Sequence, residues 1–486
     1  MKPVYIDSTE AEKTCKAHFF FPECVMMENA AAALEKEVLA HKEVVAGKTC
    51  CDFNVLIVCG GGNNGADGLT LARRLVGQTE VTVILVKAPS TLEAQIQYKM
   101  ASACGVQISN KKDALKNIHS KNWSVVVDCL YGTGFRGELS DESRELIQEL
   151  NDLDSYKIAC DIPSALTFKA DKTVTMGALK TILFCDRAKD FTGQIVVADL
   201  GLTSSKFCSL ISPDGYLLEK EDIVLPLREK QNVHKGNFGH SSVIIGNAPG
   251  AGIIAATAAL KAGAGYSTAV TGYSANCQQF YMNPELLQNK EIPAKTTAIL
   301  LGSGLGRDFE SPETKLAIQD TLSFLREYPK TAVVLDADIF YSPDIKRILK
   351  DLSESDTQVI LTPHPKELHQ LLQSCTSSEW NMETVLENRF EVARMFSQVY
   401  PNLVLVSKGA NTFITTGSGC YIFDKGSAAL AKAGSGDVLA GLCTGLLAQG
   451  YQALTAAQTA VWIHGTALES MEYNFMASPL ELIQKL

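Results

Sequence analysis

Two glycine-rich stretches carry the residue types that phosphate and proton chemistry need. Residues 431–441 read AKAGSGDVLAG: small residues run up to an acid, Asp437, and an apolar helical pattern then begins at Val438, Leu439, Leu442, Leu446 and Leu447. Gly434 and Gly436 permit backbone conformations that a side chain forbids. The first amides of a helix lack internal partners and carry the positive end of its dipole, so such a helix start is an anion hole. An acid beside it can take a proton from a hydroxyl as a phosphoryl group arrives. A glycine-rich turn with Asp437 as a plain helix N-cap accounts for the same residues, so this loop alone leaves both readings open.

Residues 60–68 read GGGNNGADG directly after a β-rich run. The glycines let backbone approach a phosphate, while Asn63, Asn64 and Asp67 add oxygen and amide groups. The pattern is neither a Walker loop nor GxGxxG. Two further acids end β-rich runs: Asp128 precedes LYGTGFRGE at 130–138, and Asp161 opens DIPS at 161–164. Turn chemistry explains any one of these clusters. Three of them after three parallel strands would converge on one crevice.

The elements that must position these residues alternate in type. A helical pattern over 10–46 is followed by strand patterns at 54–59, 81–86, 125–129, 157–161 and 194–198, with a helix from 69 to about 76. The rhythm breaks over 206–237 at a turn cluster, SPDG, and a charged stretch containing Pro226. It then resumes with strands at 242–245, 298–302, 332–336, 358–362 and 403–407, a helix over 252–262 and a hairpin of 412–416 with 420–423. Helical stretches between β-rich runs imply mainly parallel sheets. Two different α/β domains in tandem are expected, at 1–215 and 225–486.

Composition narrows the partners. The chain has 486 residues, 46% hydrophobic and 20% charged, as in ordinary soluble proteins. Its net charge of −10, from 44 basic and 54 acidic residues, argues against nucleic acid as a partner. The 14 cysteines form no zinc-like spacing, and most lie in apolar runs. Residues 1–12 lack a basic stretch followed by an apolar core. A reducing, cytoplasmic location without disulfides is expected. Residues 438–467 carry no Asp, Glu, Lys or Arg, but Gly441, Gly445, Gln449, Gly450 and His464 interrupt them. Two buried helices around a turn at Gly450 are expected, and no membrane association.

The quoted motifs, with MENA at 27–30, resemble the N-terminal domain of bifunctional NAD(P)H-hydrate repair enzymes, a Rossmann-like NAD(P)H-hydrate epimerase, over residues 1–215. The resemblance implies that Asn64, Asp128 and Ser164 bind potassium. It implies that Asn63, Asn64, Gly65, Ala66, Asp67, Gly132, Thr133, Gly134, Phe135, Arg136, Gly137, Glu138 and Asp161 line the hydrated nucleotide, with Asp161 as acid/base. Ala66 and Ala165 stand where the family usually has glycine. If Ala165 must adopt positive φ, that costs about 1 kcal/mol.

HKGNFG at 234–239, Gly246, LGSGLG at 301–306, TPHPKE at 362–367, Lys408-Gly409 and the loop before Asp437 resemble the ribokinase-like dehydratase domain of the same family over 225–486. By that resemblance Ala251, Gly304, His364 and Asp437 contact the hydrated cofactor. Lys408, Gly409, Ala410, Asn411, Thr412, Gly434, Ser435 and Gly436 hold the adenine nucleotide, and Asp437 is the base. Ser435 replaces the more usual threonine. Small-molecule substrates (NADH and NADPH hydrates, ADP), Mg2+ and a homo-oligomeric state are the remaining expectations. A vitamin-precursor kinase needs only the GSGD loop, and a first domain acting as a non-catalytic binding module would leave the acids there idle.

Overall fold

Strand Asn54–Cys59 is buried along its whole length, as a strand covered by helices on both faces of a parallel sheet requires. In the computed structural model, which describes residues 1–46, 53–110, 118–135, 137–274, 277, 281–376 and 380–486, it is the third strand of a seven-stranded sheet. The order is Gln107–Asn110, Glu80–Leu85, Asn54–Cys59, Val125–Cys129, Tyr156–Cys160, Lys172–Met176 and Gln194–Ala198, with all neighbours parallel. The winding direction therefore reverses between Asn54–Cys59 and Val125–Cys129. In doubly wound sheets a ligand crevice opens at that reversal, beyond the carboxyl ends of the strands.

Helices Glu23–Val45 and Asn63–Leu75 cover one face, burying Met26, Ala30, Leu34, Leu69 and Ala72 against Val55, Ile57 and Val125. Helix Asp141–Asp152 covers the other with Leu146, Ile147 and Leu150 against Leu56, Val58 and Val126.

The chain divides into two compact units, Pro3–Asp214 and Gly215–Leu486 together with Met1–Lys2. In the second unit the strand order is Leu287–Asn289, Tyr266–Val270, His240–Ile244, Ala298–Leu301, Ala332–Leu335, Val359–Leu361, Val404–Ser407, Thr412–Thr416, Gly419–Phe423 and Gly215–Leu217. Pairing is parallel as far as Val404–Ser407 and antiparallel through the hairpin. Helices Pro249–Lys261 and Ser435–Ala448 cross closely because Gly441 and Gly445 have no side chain; a Cβ at either would collide with the carbonyl oxygen of Ala255 or Ala259.

Several elements differ from the sequence pattern. The helix expected over 10–46 is two, Thr9–His18 and Glu23–Val45, since Pro22 lacks an N–H and disfavours helix before it. The loop expected over 60–68 ends early: helix Asn63–Leu75 already contains Gly65 and Gly68. Here glycine serves close packing, because a Cβ on Gly68 would lie 2.7 Å from Cys59 Sγ and 2.8 Å from Cys129 Sγ. The apolar stretch 438–467 lies within helices Ser435–Ala448 and Ala453–Thr466, with Gly450 at φ +90° between them. Among the described residues no helix is long and apolar enough to cross a membrane.

Candidate functional site

A cavity of about 580 Å³ opens at the carboxyl ends of the seven-stranded sheet. Asn63, Asn64 and Asp67 line it from the helix start, Gly132, Thr133, Gly134 and Phe135 from the loop after Val125–Cys129, and Asp161 from the end of Tyr156–Cys160. The three polar clusters of the first unit thus share one cavity. Gly65 and Ala66 are buried, Ala66 against Met27 and Ala94 within the helix, where alanine needs no unusual φ. Gly137 and Glu138 are exposed and do not line the cavity, and Arg136 lies outside the described residues. Glu12, Lys87 and Ser90 also line it; the first comes from a helix about 50 residues before the glycine loop, and no local motif marks any of them.

Asp161 has φ +68°, a left-handed backbone that Asp tolerates better than most residues. Its Oδ1 accepts from Lys180 Nζ at 2.7 Å, Met176 N at 3.1 Å and Thr175 Oγ1 at 3.4 Å. Lys180 is 2% exposed and also donates to Thr175 Oγ1 and the Met176 carbonyl, at 3.0 and 2.9 Å. The other oxygen faces the glycine loop, for a Cβ on Gly132 would sit 3.3 Å from Asp161 Oδ2. One oxygen is anchored and the other looks toward the cavity wall. Burial pushes the Asp67 carboxyl well above its ordinary range, and the charges of Asp161, Glu12 and Glu23 push it further. Burial also raises Glu12, with Lys180 opposing. Lys180 lies 19 residues beyond Asp161 on the two-residue strand Leu179–Lys180, too short for a sequence pattern to register.

Behind this wall Asp128 and Ser164 are fully buried. Ser164 Oγ donates to Asp128 Oδ1 at 2.7 Å, Ser164 N to Oδ2 at 2.8 Å and Leu130 N to Oδ1 at 3.1 Å. Tyr131 N donates to Ser164 Oγ at 3.0 Å. Burial raises the Asp128 carboxyl to about 6 despite the Ser164 and Leu130 bonds. Asn64 Oδ1 and Nδ2 are both buried with no hydrogen-bond partner, a costly arrangement unless a ligand completes it. An orphaned amide oxygen, a serine hydroxyl and a carboxylate are hard-oxygen donors, the chemistry that suits a hard cation. Ala165 adopts φ +53° and Leu166 φ +49°, so the condition stated for Ala165 is met.

In the second unit Gly434, at φ +91°, is the N-cap of helix Ser435–Ala448, and no side chain caps it. Asp437 is therefore the third residue of the helix and not its N-cap. The start of helix Pro249–Lys261, after Ala248, is likewise free of a side-chain cap, as is that of Asn63–Leu75 after Gly62. Asp437 is half-buried, and its carboxyl is raised to about 6 by burial and the charge of Asp336, against a Ser303 hydrogen bond and Lys408. Asp336 Oδ1 accepts from Thr362 Oγ1 at 2.7 Å and Lys408 Nζ at 3.1 Å, and its Oδ2 from Ser303 Oγ at 3.0 Å. Burial lowers the Lys408 ammonium, but Asp336, Glu367 and Asp437 outweigh it and the net direction is upward. A Cβ on Gly436 would lie 3.3 Å from Lys408 Nζ, so a held cation abuts the helix start.

Gly304, at φ +67°, neighbours Ala251: a Cβ on Gly304 would be 3.0 Å from the Ala251 methyl. His364 caps helix Pro365–Cys375. Its Nδ1 accepts from Lys366 N at 3.1 Å and Glu367 N at 3.3 Å, and Nε2 is 3.0 Å from Glu367 Oε1. Gly409 and Ala410 are exposed, Asn411 is buried, and Thr412 begins a strand. The Asn411 carbonyl accepts from the buried Arg389, which also donates to the Ser407 carbonyl at 2.7 Å; no sequence motif pointed to Arg389. Ser435 Oγ is 3.0 Å from His464 Nε2, and burial lowers that imidazole to about 4.

Comparison with known proteins adds an independent line. A family model described as NAD(P)H-hydrate dehydratase matches residues 242–486, and one described as YjeF-related protein N-terminus matches residues 23–182. The chain is 38% identical over 497 residues to the bifunctional NAD(P)H-hydrate repair enzyme Nnr of Helicobacter pylori, covering 100% of this chain and 99% of that one. It is 32% identical over 443 residues to the enzyme of the same name from Coxiella burnetii, covering 85% of each. Among solved structures, the ADP/ATP-dependent NAD(P)H-hydrate dehydratase of Bacillus subtilis, co-crystallised with ATP and Mg2+, is 24% identical with a TM-score of 0.44, covering 53% of this chain and 91% of that one.

Proposed function

The chain belongs to the bifunctional NAD(P)H-hydrate repair enzymes, and from that premise we propose how its residues divide the work. The Rossmann-like first unit interconverts the R and S hydrates of NADH and NADPH. The ribokinase-like second unit dehydrates the S form with ADP, releasing AMP and phosphate.

For dehydration, Asp437 takes the proton of the ring hydroxyl as the terminal phosphoryl group of ADP lands on that oxygen. Phosphorylation makes the oxygen a good leaving group. The ring nitrogen then expels phosphate to give an iminium ion, and loss of a proton from the adjacent ring carbon, to the departing phosphate, restores the dihydronicotinamide. The amides of Gly434 and Gly436, with Lys408 beside them, stabilise the moving charge, while Ser435, whose N–H is taken by the Lys432 carbonyl at 3.1 Å, lines the same turn. Lys408, Gly409, Ala410, Asn411 and Thr412 hold the nucleotide, while Ala251, Gly304 and His364 border the hydrated ring. Mg2+ arriving with the nucleotide would add to the charge neutralisation by these amides and Lys408.

For epimerisation, Asp161 acts as acid/base at the hydroxyl of the hydrated carbon, giving a proton as that oxygen leaves as water and taking it back as water re-adds to the other face. The cavity residues Asn63, Asn64, Asp67, Gly132, Thr133, Gly134 and Phe135 hold the nucleotide. Asn64, Asp128 and Ser164 hold potassium, a role that the orphaned Asn64 amide supports. The enzyme works in the cytoplasm as a homo-oligomer. Every described cysteine is unpaired, and Leu92, Ile96 and Met100 leave one apolar helix face exposed.

The observation that carries this reading is the juxtaposition of an uncapped helix start, a half-buried Asp437 and the Lys408 ammonium. Incubating the protein with hydrated NADH, with and without ADP, ATP, Mg2+ and K+, tests it. One phosphate should be released per NADH recovered by absorbance, with ADP the better donor. Stoichiometric accumulation of a phosphorylated product without NADH would instead identify a kinase.

A further inference from the structure

The cavity of the first unit is electrically lopsided. Glu12, Asp67 and Asp161 line it, and among its described lining residues Lys87 is the one cation. Lys87 stands just beyond strand Glu80–Leu85, whereas Asp161 ends Tyr156–Cys160. Strands Asn54–Cys59 and Val125–Cys129 lie between them, so the two residues are three inter-strand steps apart, roughly 14 Å.

Lys87 is exposed and forms no ion pair with a described residue. It borders the glycine turn closely: a Cβ on Gly61 would lie 3.5 Å from Lys87 Cβ and 2.6 Å from the Ala88 carbonyl oxygen. The next residue, Gly62, is the uncapped N-cap of the 13-residue helix Asn63–Leu75, with open space beside it. An ammonium with no ion pair to a described residue and open helix amides therefore share one end of the cavity.

Coulomb's law orients a dinucleotide in such a cavity. Its phosphates at the Asp161 end would meet carboxyl groups, whereas at the Lys87 end they meet a cation and a helix dipole. The end of the second strand of a doubly wound sheet is also where a dinucleotide's ribose is read: an acid there takes a 2′-hydroxyl, and a cation a 2′-phosphate. This chain has a lysine at that position.

We propose that Lys87 recognises a phosphate of the hydrated dinucleotide and so fixes its direction in the cavity, with the hydrated ring at Asp161. The inference rests on the epimerase reading of this unit. Two phosphates share the required chemistry: the diphosphate common to both substrates, and the 2′-phosphate of NADPH hydrate.

R-to-S exchange by the full chain without ADP, measured at low and moderate salt with each hydrate, tests the inference. Lys87→Ala should raise KM about tenfold, a charged hydrogen bond's worth, and change kcat less than about twofold. It should also flatten the salt dependence of kcat/KM, and Lys87→Arg should restore both. An equal loss for both hydrates assigns the diphosphate; a loss confined to NADPH hydrate assigns the 2′-phosphate. Unchanged KM values for both hydrates, with the native chain active, would overturn the inference alone. A native chain without exchange activity would overturn the epimerase reading and the inference together.

Discussion

Lys180 Nζ lies 2.7 Å from Asp161 Oδ1, and the two residues are 2% and 8% exposed. A buried ion pair is poor evidence of stabilisation, because desolvating both charges offsets much of their attraction. Its value here is geometric. With Oδ1 taken by Lys180, Met176 N and Thr175 Oγ1, the carboxylate cannot rotate freely, and Oδ2 stays beside the Gly132 loop.

Replacing the lysine should therefore cost both stability and epimerisation. Lys180→Met leaves Asp161 buried without its cation, a loss of about 3–5 kcal/mol if the carboxylate stays charged. Exchange between R and S hydrates should fall at least about 100-fold, as for removal of a general acid/base. Adding Asp161→Asn should recover much of the melting temperature and none of the exchange; recovery of exchange would refute the assigned role.

The Asp437 carboxyl, raised to about 6, gives dehydration an acid limb. A base must be ionised, so kcat/KM should fall roughly tenfold per pH unit below about 6. Asp437→Asn should abolish dehydration and leave epimerisation intact. Stability runs in the opposite sense. A raised carboxyl pKa means that the folded state holds the proton more tightly than the unfolded chain. The contribution is full below the unfolded value and is lost as pH rises through about 6. Asp437→Asn should thus gain about 1–3 kcal/mol at pH 7, read from urea midpoints at pH 4 and 7, with little gain at the lower pH.

Ala165, at φ +53°, holds a conformation that glycine adopts at no steric cost. Ala165→Gly should stabilise by up to about 1 kcal/mol, since relief of strain exceeds the entropy that glycine adds to the unfolded chain. A higher denaturant midpoint at unchanged m-value is the expected result. No gain would mean that the neighbouring turn already absorbs the strain.

If Asn64 completes a potassium site, KCl should raise the melting temperature more than choline chloride at equal ionic strength. Saturating salt should contribute about 2 kcal/mol of linked stabilisation. Asn64→Leu, which fills the space and removes the donor, should erase the difference between the two salts. A difference that survives in the variant would point to other residues.

Much of this was legible in the residues themselves. Asn54–Cys59 and Val125–Cys129 announce themselves as unbroken apolar runs ended by glycine or acid, and the end of a parallel strand is where ligands gather. Glu12 and Lys180 left no such trace, because they reach the cavity only through tertiary packing. Gly65 and Gly68 looked like loop glycines because their helical role depends on a neighbouring strand pressing on them. His364 shows the reverse: a histidine between prolines could be a ligand or a turn residue, and its ring nitrogens already serve the start of its own helix.

The three helices that begin at these sites, after Gly62, Ala248 and Gly434, have no side-chain cap, a state shared with helices elsewhere such as those after Pro22, Asp344 and Gln452, while those after Thr91, Ser140, Ser311, Asn381 and Ser478 are capped. A good cap contributes about 1 kcal/mol, a stabilisation the chain forgoes at the sites as well. Engineers hardening this enzyme against heat would be drawn to those positions first. A serine or asparagine in place of Gly62 or Ala248 would compete for amides that the proposed reading leaves to substrate, so the sturdier protein would be a slower one. At Gly434, with φ +91° and Pro479 Cγ 2.6 Å from an added Cβ, a side chain would weaken the fold instead.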